Sequence, residues 1–227
     1  MVSSLCFLLF STLECMSIFG IVLSLFRYRI TADVHYYACI SLLMSAVSYV
    51  LWQVVDNPQY VPAMSLLMCS LALLARSQVS AGAAIVMAVT GYTVYGALQS
   101  VTLYTLGEAG LIPQDDAIRS NTLDAFLLQS INTSLLFAVS YVQYRKGFGF
   151  TFPLGWIRVQ AGDRLLASLI CVDIAFVAAV FMFQYEVLIA AVAFAAVAFA
   201  VLLILLLHVL YRKERRHVRS LSQTSGR

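Results

Sequence analysis

From Leu5 to Phe26 the chain carries a single formally charged side chain, Glu14, and runs of this kind recur down its length. A bilayer core of about 30 Å is crossed by roughly 20 mostly apolar residues in an α-helix. Seven segments can be cut to that measure: 5–26, 36–55, 60–75, 80–106, 122–143, 165–185 and 187–211. The third is short, and only Arg76-Ser77-Gln78 separates it from the fourth, which predicts a tight helical hairpin. The run from Leu165 to Tyr211 is too long for one crossing and divides around Gln184-Tyr185-Glu186. Hydrocarbon offers no partner for free backbone polar groups, so such segments span as helices. The predicted fold class is all-α, a polytopic membrane helix bundle of about seven transmembrane helices over 1–211, with a basic tail over 212–227.

Composition closes the soluble alternative. Of 227 residues 62% are hydrophobic and 11% charged, at a mean hydropathy of +0.89, where a soluble domain carries about 25% charged residues. No Lys or Arg precedes the first apolar run, so it lacks the basic region that opens a secretory signal and reads as the first membrane helix. Orientation follows from basic residues in short loops, which stay in the cytoplasm. Arg27 and Arg29 follow the first segment, Arg76 the third, and Arg145, Lys146, Arg158 and Arg164 the fifth. Arg212, Lys213, Arg215, Arg216, Arg219 and Arg227 follow the seventh. Seven crossings put all of these on one face and leave Arg119 on the other, beside Glu108, Asp115 and Asp116. The expectation is a multi-pass protein of the cell membrane, N-terminus outside and C-terminus in the cytoplasm, with membrane lipids as its first partners.

Ionisable groups inside membrane segments mark functional sites by default. Glu14 and Asp173 qualify, one about nine residues into its segment and the other about eight, or ~14 and ~12 Å at the helical rise. Their functional reading is a site for a cation, a proton or a cationic ligand group. The alternative is a neutral carboxyl hydrogen-bonded between helices. A set of uncharged polar residues accompanies them. Gln99 shares a face of the fourth segment with Tyr92, Tyr95 and Thr102, Gln129 and Asn132 share a face of the fifth, and Gln53 ends the second; helical spacing puts these in the outer half. Together with Glu14 they are expected to line an outward-facing pocket. Taken singly, each is expected to be an interhelical hydrogen bond worth ~0.6 kcal/mol. Gly82, Gly91, Gly96 and the alanines 191, 195 and 198 predict close helix approach within the subunit, with a homodimer as the second use of the same faces.

Catalytic signatures are absent: there is no H-E-x-x-H, G-x-S-x-G or Walker sequence. His35 and Cys39, four residues apart at the start of the second segment, are the one nucleophile–base pairing the spacing permits. All five cysteines lie in apolar runs without a paired pattern, so no metal, cofactor or disulfide framework is expected. The final segment lacks a Lys for a retinal Schiff base. In GFGFTFPLGWIRV, the aromatics Phe148, Phe150, Phe152 and Trp156 are expected to lie on the inner leaflet. The tail at 212–219 has two readings, a contact for a cytoplasmic signalling partner or an anchor on anionic lipid at ~1 kcal/mol per basic residue. No nucleic-acid partner is expected.

The stretch LECMSIFGIVLSLFRYRI with the following SLLMSAVSYVLW, and the basic helix leaving the membrane, resemble the input region of Agr-type peptide-sensing receptor kinases and related small multi-pass proteins of Gram-positive bacteria. That resemblance implies an outside-facing site for a peptide or small ligand, and a dimer. No phosphoacceptor-histidine or ATP-binding domain follows the tail here, so the expectation is a truncated input region or a chain acting through a partner. The function expected is a non-catalytic membrane sensor or regulatory subunit. The alternative is a small transporter or substrate-binding subunit that uses Glu14 and Asp173 for a cation, proton or cationic solute.

Overall fold

The computed structural model describes residues 2–28, 33–55, 57, 60–76, 79–111, 122–147 and 149–150, and beyond these 168, 170–172, 174–176, 197–198, 200–205, 208–209 and 211. Five helices are bounded among them: α1 (Val2–Leu25), α2 (Val34–Gln53), α3 (Val61–Arg76), α4 (Ala81–Glu108) and α5 (Leu123–Lys146). The described residues contain no strand. Helices α1, α2, α4 and α5 are long and apolar enough to cross a membrane, whereas α3, at 16 residues, is shorter than that measure. The sixth and seventh predicted segments lie mostly outside the described residues, as does the tail.

Local chemistry sets the helix ends. The Ser80 hydroxyl accepts from the Ala83 N–H at 3.3 Å and the Thr122 hydroxyl from the Ala125 N–H at 3.1 Å, so α4 and α5 both open on a side-chain N-cap. Helix α5 stops at Gly147, whose φ of 63° is the left-handed conformation glycine adopts freely. At the end of α1 the Tyr28 N–H reaches the Leu23 carbonyl and the Arg27 N–H reaches that of Ser24, the paired bonds of a Schellman motif. The left-handed residue there is Arg27, at φ 54°, rather than a glycine.

Helix α1 is the centre of the bundle and packs on α2, α4 and α5, while α3 packs on α2 and α4. Contacts fix the directions. Phe7 meets Tyr49 and Phe19 meets Tyr37, so α2 runs antiparallel to α1. Phe10 stacks on Phe126 at 5.2 Å, and Gly20 faces Ser140, so α5 runs parallel to α1. Arg27, Arg145 and Lys146 therefore share one end of the bundle. Arg76 joins them there, bonded to Asp33 at the start of α2 (Nε to Oδ1, 2.8 Å).

Small polar residues share the interior of α2 and α5 with apolar ones, while several large apolar side chains face outward. On α2 the buried residues include Ser41, Ser45 and Ser48, while Leu42, Leu43 and Val50 are exposed. On α5 Asn132, Thr133 and Ser140 are buried, and Leu127, Leu135, Val139 and Val142 are exposed. Such an arrangement is favourable where the surroundings are apolar, and small residues inside allow close backbone approach. Several buried hydroxyls bond within their own helix, as Thr90 does to Val86 and Thr93 to Val89. A few cross between helices, including Ser45 to the Leu8 carbonyl (3.0 Å) and Tyr36 to the Ala72 carbonyl (3.2 Å).

The loop after α5 is held to the end of α1 at Phe150. Its N–H donates to the Leu25 carbonyl at 2.7 Å and its ring lies 5.6 Å from that of Phe26, so the backbone docks under α1. Phe148, Phe152 and Trp156 fall outside the described residues.

Candidate functional site

Three helices converge on Glu14. The Tyr95 hydroxyl, from α4, donates to Oε1, and the Gln129 amide, from α5, donates to Oε2 at 2.5 Å. Glu14 is half-buried, and the six-residue distance of Gln129 from the start of α5 puts the cluster ~9 Å from that end of the helix. The basic residues gather at the opposite end. The turn of α1 beneath the carboxylate is fixed by the Ser17 hydroxyl, which donates to the Glu14 carbonyl at 2.7 Å.

Both carboxylate oxygens accept bonds, and both donors are neutral. Among the described residues the one ion pair is Arg76–Asp33, far from this cluster. A carboxylate so placed is solvated by dipoles and has no countercharge among the described residues, an expensive state away from water. The arrangement is suited to taking a proton, a small cation or the cationic group of a ligand, and each of these would compete with the Tyr95 and Gln129 bonds.

Other predicted site residues sort around this cluster. Tyr92 is buried one turn before Tyr95 and is hydrogen-bonded to Ser65 of α3. Gln99 follows one turn after Tyr95, half-buried on the same face. Asn132 lies one turn inward from Gln129 and is 1% exposed, with neither its amide nitrogen nor its carbonyl oxygen bonded to a protein group. Gln53 is not brought to the cluster. It ends α2 and is exposed, one turn beyond Tyr49, which itself pairs with Ser4 near the start of α1. Asp173 lies outside the described residues, so its relation to Glu14 is not part of this site.

His35 and Cys39 are both exposed near the start of α2, and no hydrogen bond joins them. One participant escaped the sequence reading: Ser65, which meets Tyr92; the buried thiols Cys15 and Cys69 lie in the same core as Tyr92. The signal for Ser65 was present as a small-residue stripe at helical spacing, Ser65, Cys69 and Ala72, all buried on α3.

No family model, curated protein or solved structure matches this chain.

Proposed function

We propose that the chain is a non-catalytic membrane sensor or regulatory subunit that crosses the cell membrane about seven times, N-terminus outside. Its ligand is an external small molecule or peptide with a cationic group, taken at Glu14, Tyr95 and Gln129. The single observation that carries this reading is one carboxylate, with no countercharge among the described residues, holding neutral donors from two other helices. Neutralising it changes the bonds of α1, α4 and α5 together, so an event at one side chain becomes a change in helix packing. That is the differential contact a ligand needs in order to shift an equilibrium between two arrangements. The outward-facing apolar side chains of α2 and α5 support the membrane setting, and the basic residues at one end of the bundle support a cytoplasmic assignment of that end.

A second reading rests on the same missing countercharge: a small transporter in which Glu14, with Asp173, carries a proton, cation or cationic solute. The two separate in one experiment. Purified wild type and Glu14→Gln are compared for thermal stabilisation by a panel of amines and inorganic cations, and for uptake of the same panel into proteoliposomes. The sensor reading expects a Glu14-dependent stabilisation by a cationic probe without uptake. Uptake by wild type that Glu14→Gln abolishes would replace it with the transporter. Stabilisation equal in both proteins would remove Glu14 from either scheme.

A further inference from the structure

We propose that the groove between α2 and α5 holds one acyl chain of an anionic phospholipid, with its phosphate gripped by Arg27 and Arg145. The groove encloses about 340 Å³ and is separate from the Glu14 cluster. Its floor is α1 from Met16 to Leu23, and its walls include Tyr37 of α2 with Phe137, Tyr141 and Tyr144 of α5. The Met16–Leu23 floor rises ~10 Å along the helix, running from mid-bundle to the end where the basic residues gather. Gly20 leaves the floor open where a side chain would otherwise rise toward Ser140. The Ser140 hydroxyl is turned away onto the Leu136 carbonyl at 2.7 Å, so it does not disturb the apolar lining.

Charge selects the occupant. The Arg145 guanidinium sits 5.6 Å over the ring of Tyr141, a wall residue. Arg27 follows the floor residue Leu23 by one turn, and its Nη2 comes within 3.6 Å of where a side chain at Gly147 would begin. Both arginines are exposed, and among the described residues neither has a carboxylate partner. Tyr141 and Tyr144 stand at the same end, where amphipathic rings occupy the membrane interface. An apolar slot beside two guanidinium groups that have no carboxylate partner among the described residues matches a molecule with a hydrocarbon tail and an anionic head. A neutral lipid satisfies the slot alone, and a free phosphate satisfies the arginines alone.

Native mass spectrometry of the full chain, delipidated and titrated with phosphatidylglycerol or phosphatidylcholine of matched tails, tests this. Two surface cations at ~1 kcal/mol each correspond to about a thirtyfold preference for phosphatidylglycerol. Arg27→Gln with Arg145→Gln is expected to reduce that preference to near unity while leaving phosphatidylcholine retention as it was. Gly20→Leu is expected to lower retention of both lipids by filling the floor, and Ser140→Leu to do the same from the α5 side, with circular dichroism confirming the fold of each. Equal retention of the two lipids by wild type would overturn the proposal, as would undiminished phosphatidylglycerol binding in both filled variants. Absence of any retained lipid on folded wild type would also overturn it and assign the groove to the chain beyond residue 150. Glu14→Gln is expected to leave lipid retention unchanged, so this proposal and the ligand-site reading fail separately.

Discussion

Gly91→Ala tests the geometry on which the Glu14 cluster depends. A Cβ at position 91 would lie 2.1 Å from Cγ2 of Val22, in the core where α4 crosses α1. Carbon atoms in contact stay about 3.5–4.0 Å apart, so the two groups must move apart by roughly 1.5 Å. Val22 has no exposed surface, and a valine in a helix holds one strongly preferred χ1, so rotation is a poor escape. The remaining response is separation of α1 and α4, and overpacking of this kind costs about 1–3 kcal/mol. Tyr95 is one turn from Gly91 on the same helix, so separation also lengthens its bond to Glu14. The assay is reversible unfolding in a fixed detergent of wild type, Gly91→Ala, Val22→Ala and the double variant. Val22→Ala alone should cost ~2 kcal/mol from lost methyl burial. In the double variant the new methyl occupies the vacated space, so its total cost should fall below the sum of the singles by ~1–3 kcal/mol. Additive costs, or a neutral Gly91→Ala, would refute the close α1–α4 crossing and with it the placement of Tyr95 on Glu14.

Four further outcomes are expected. Glu14→Ala should destabilise more than Glu14→Gln, by ~1–3 kcal/mol, because it strands the Tyr95 hydroxyl and the Gln129 amide while Gln preserves an acceptor; chemical denaturation of the pair measures the difference. Arg27→Gly should stabilise the protein by ~1 kcal/mol, by relieving the left-handed backbone at the end of α1, read as a higher thermal midpoint. Gly149→Ala should destabilise by more than 1 kcal/mol, since a Cβ would lie 2.6 Å from the Leu25 carbonyl oxygen at a φ that disfavours other residues, and loss of protease resistance in the 147–150 loop reports it. Asp33→Asn should change stability by less than ~1 kcal/mol despite its bond to Arg76, because the pair is solvent-exposed, and a shift larger than that in low-salt unfolding would contradict the exposed geometry.

The residues that later meet at Glu14 were visible one at a time. A lone carboxylate in an apolar run is conspicuous because burial of charge is costly, so Glu14 announced itself, and helical spacing put Tyr95 with Tyr92 and Gln129 with Asn132. Gln53 was equally conspicuous by type, yet it ends α2 at the exposed rim. Polar residue type identifies a candidate, but the register of one helix against another decides whether it joins a cluster. The loop after α5 shows the same limit: its composition did not indicate that the Phe150 N–H would bond to the Leu25 carbonyl and its ring meet Phe26.

By itself the sequence determined that the chain is helical and apolar, where α1, α2, α4 and α5 begin and end to within a few residues, and that its basic residues favour one face. Those properties depend on local spacing, capping side chains and hydrophobic run length, all of which act along a single helix. Only the tertiary structure decided that α1 is the central helix, that α5 runs parallel to it, that Gly91 accommodates Val22, and that Tyr95 and Gln129 divide the two oxygens of Glu14 between them. These are relations between helices distant in the chain. They are selected by which surfaces pack at van der Waals contact and which buried donors find an acceptor, and neither is written in the periodicity of any one segment.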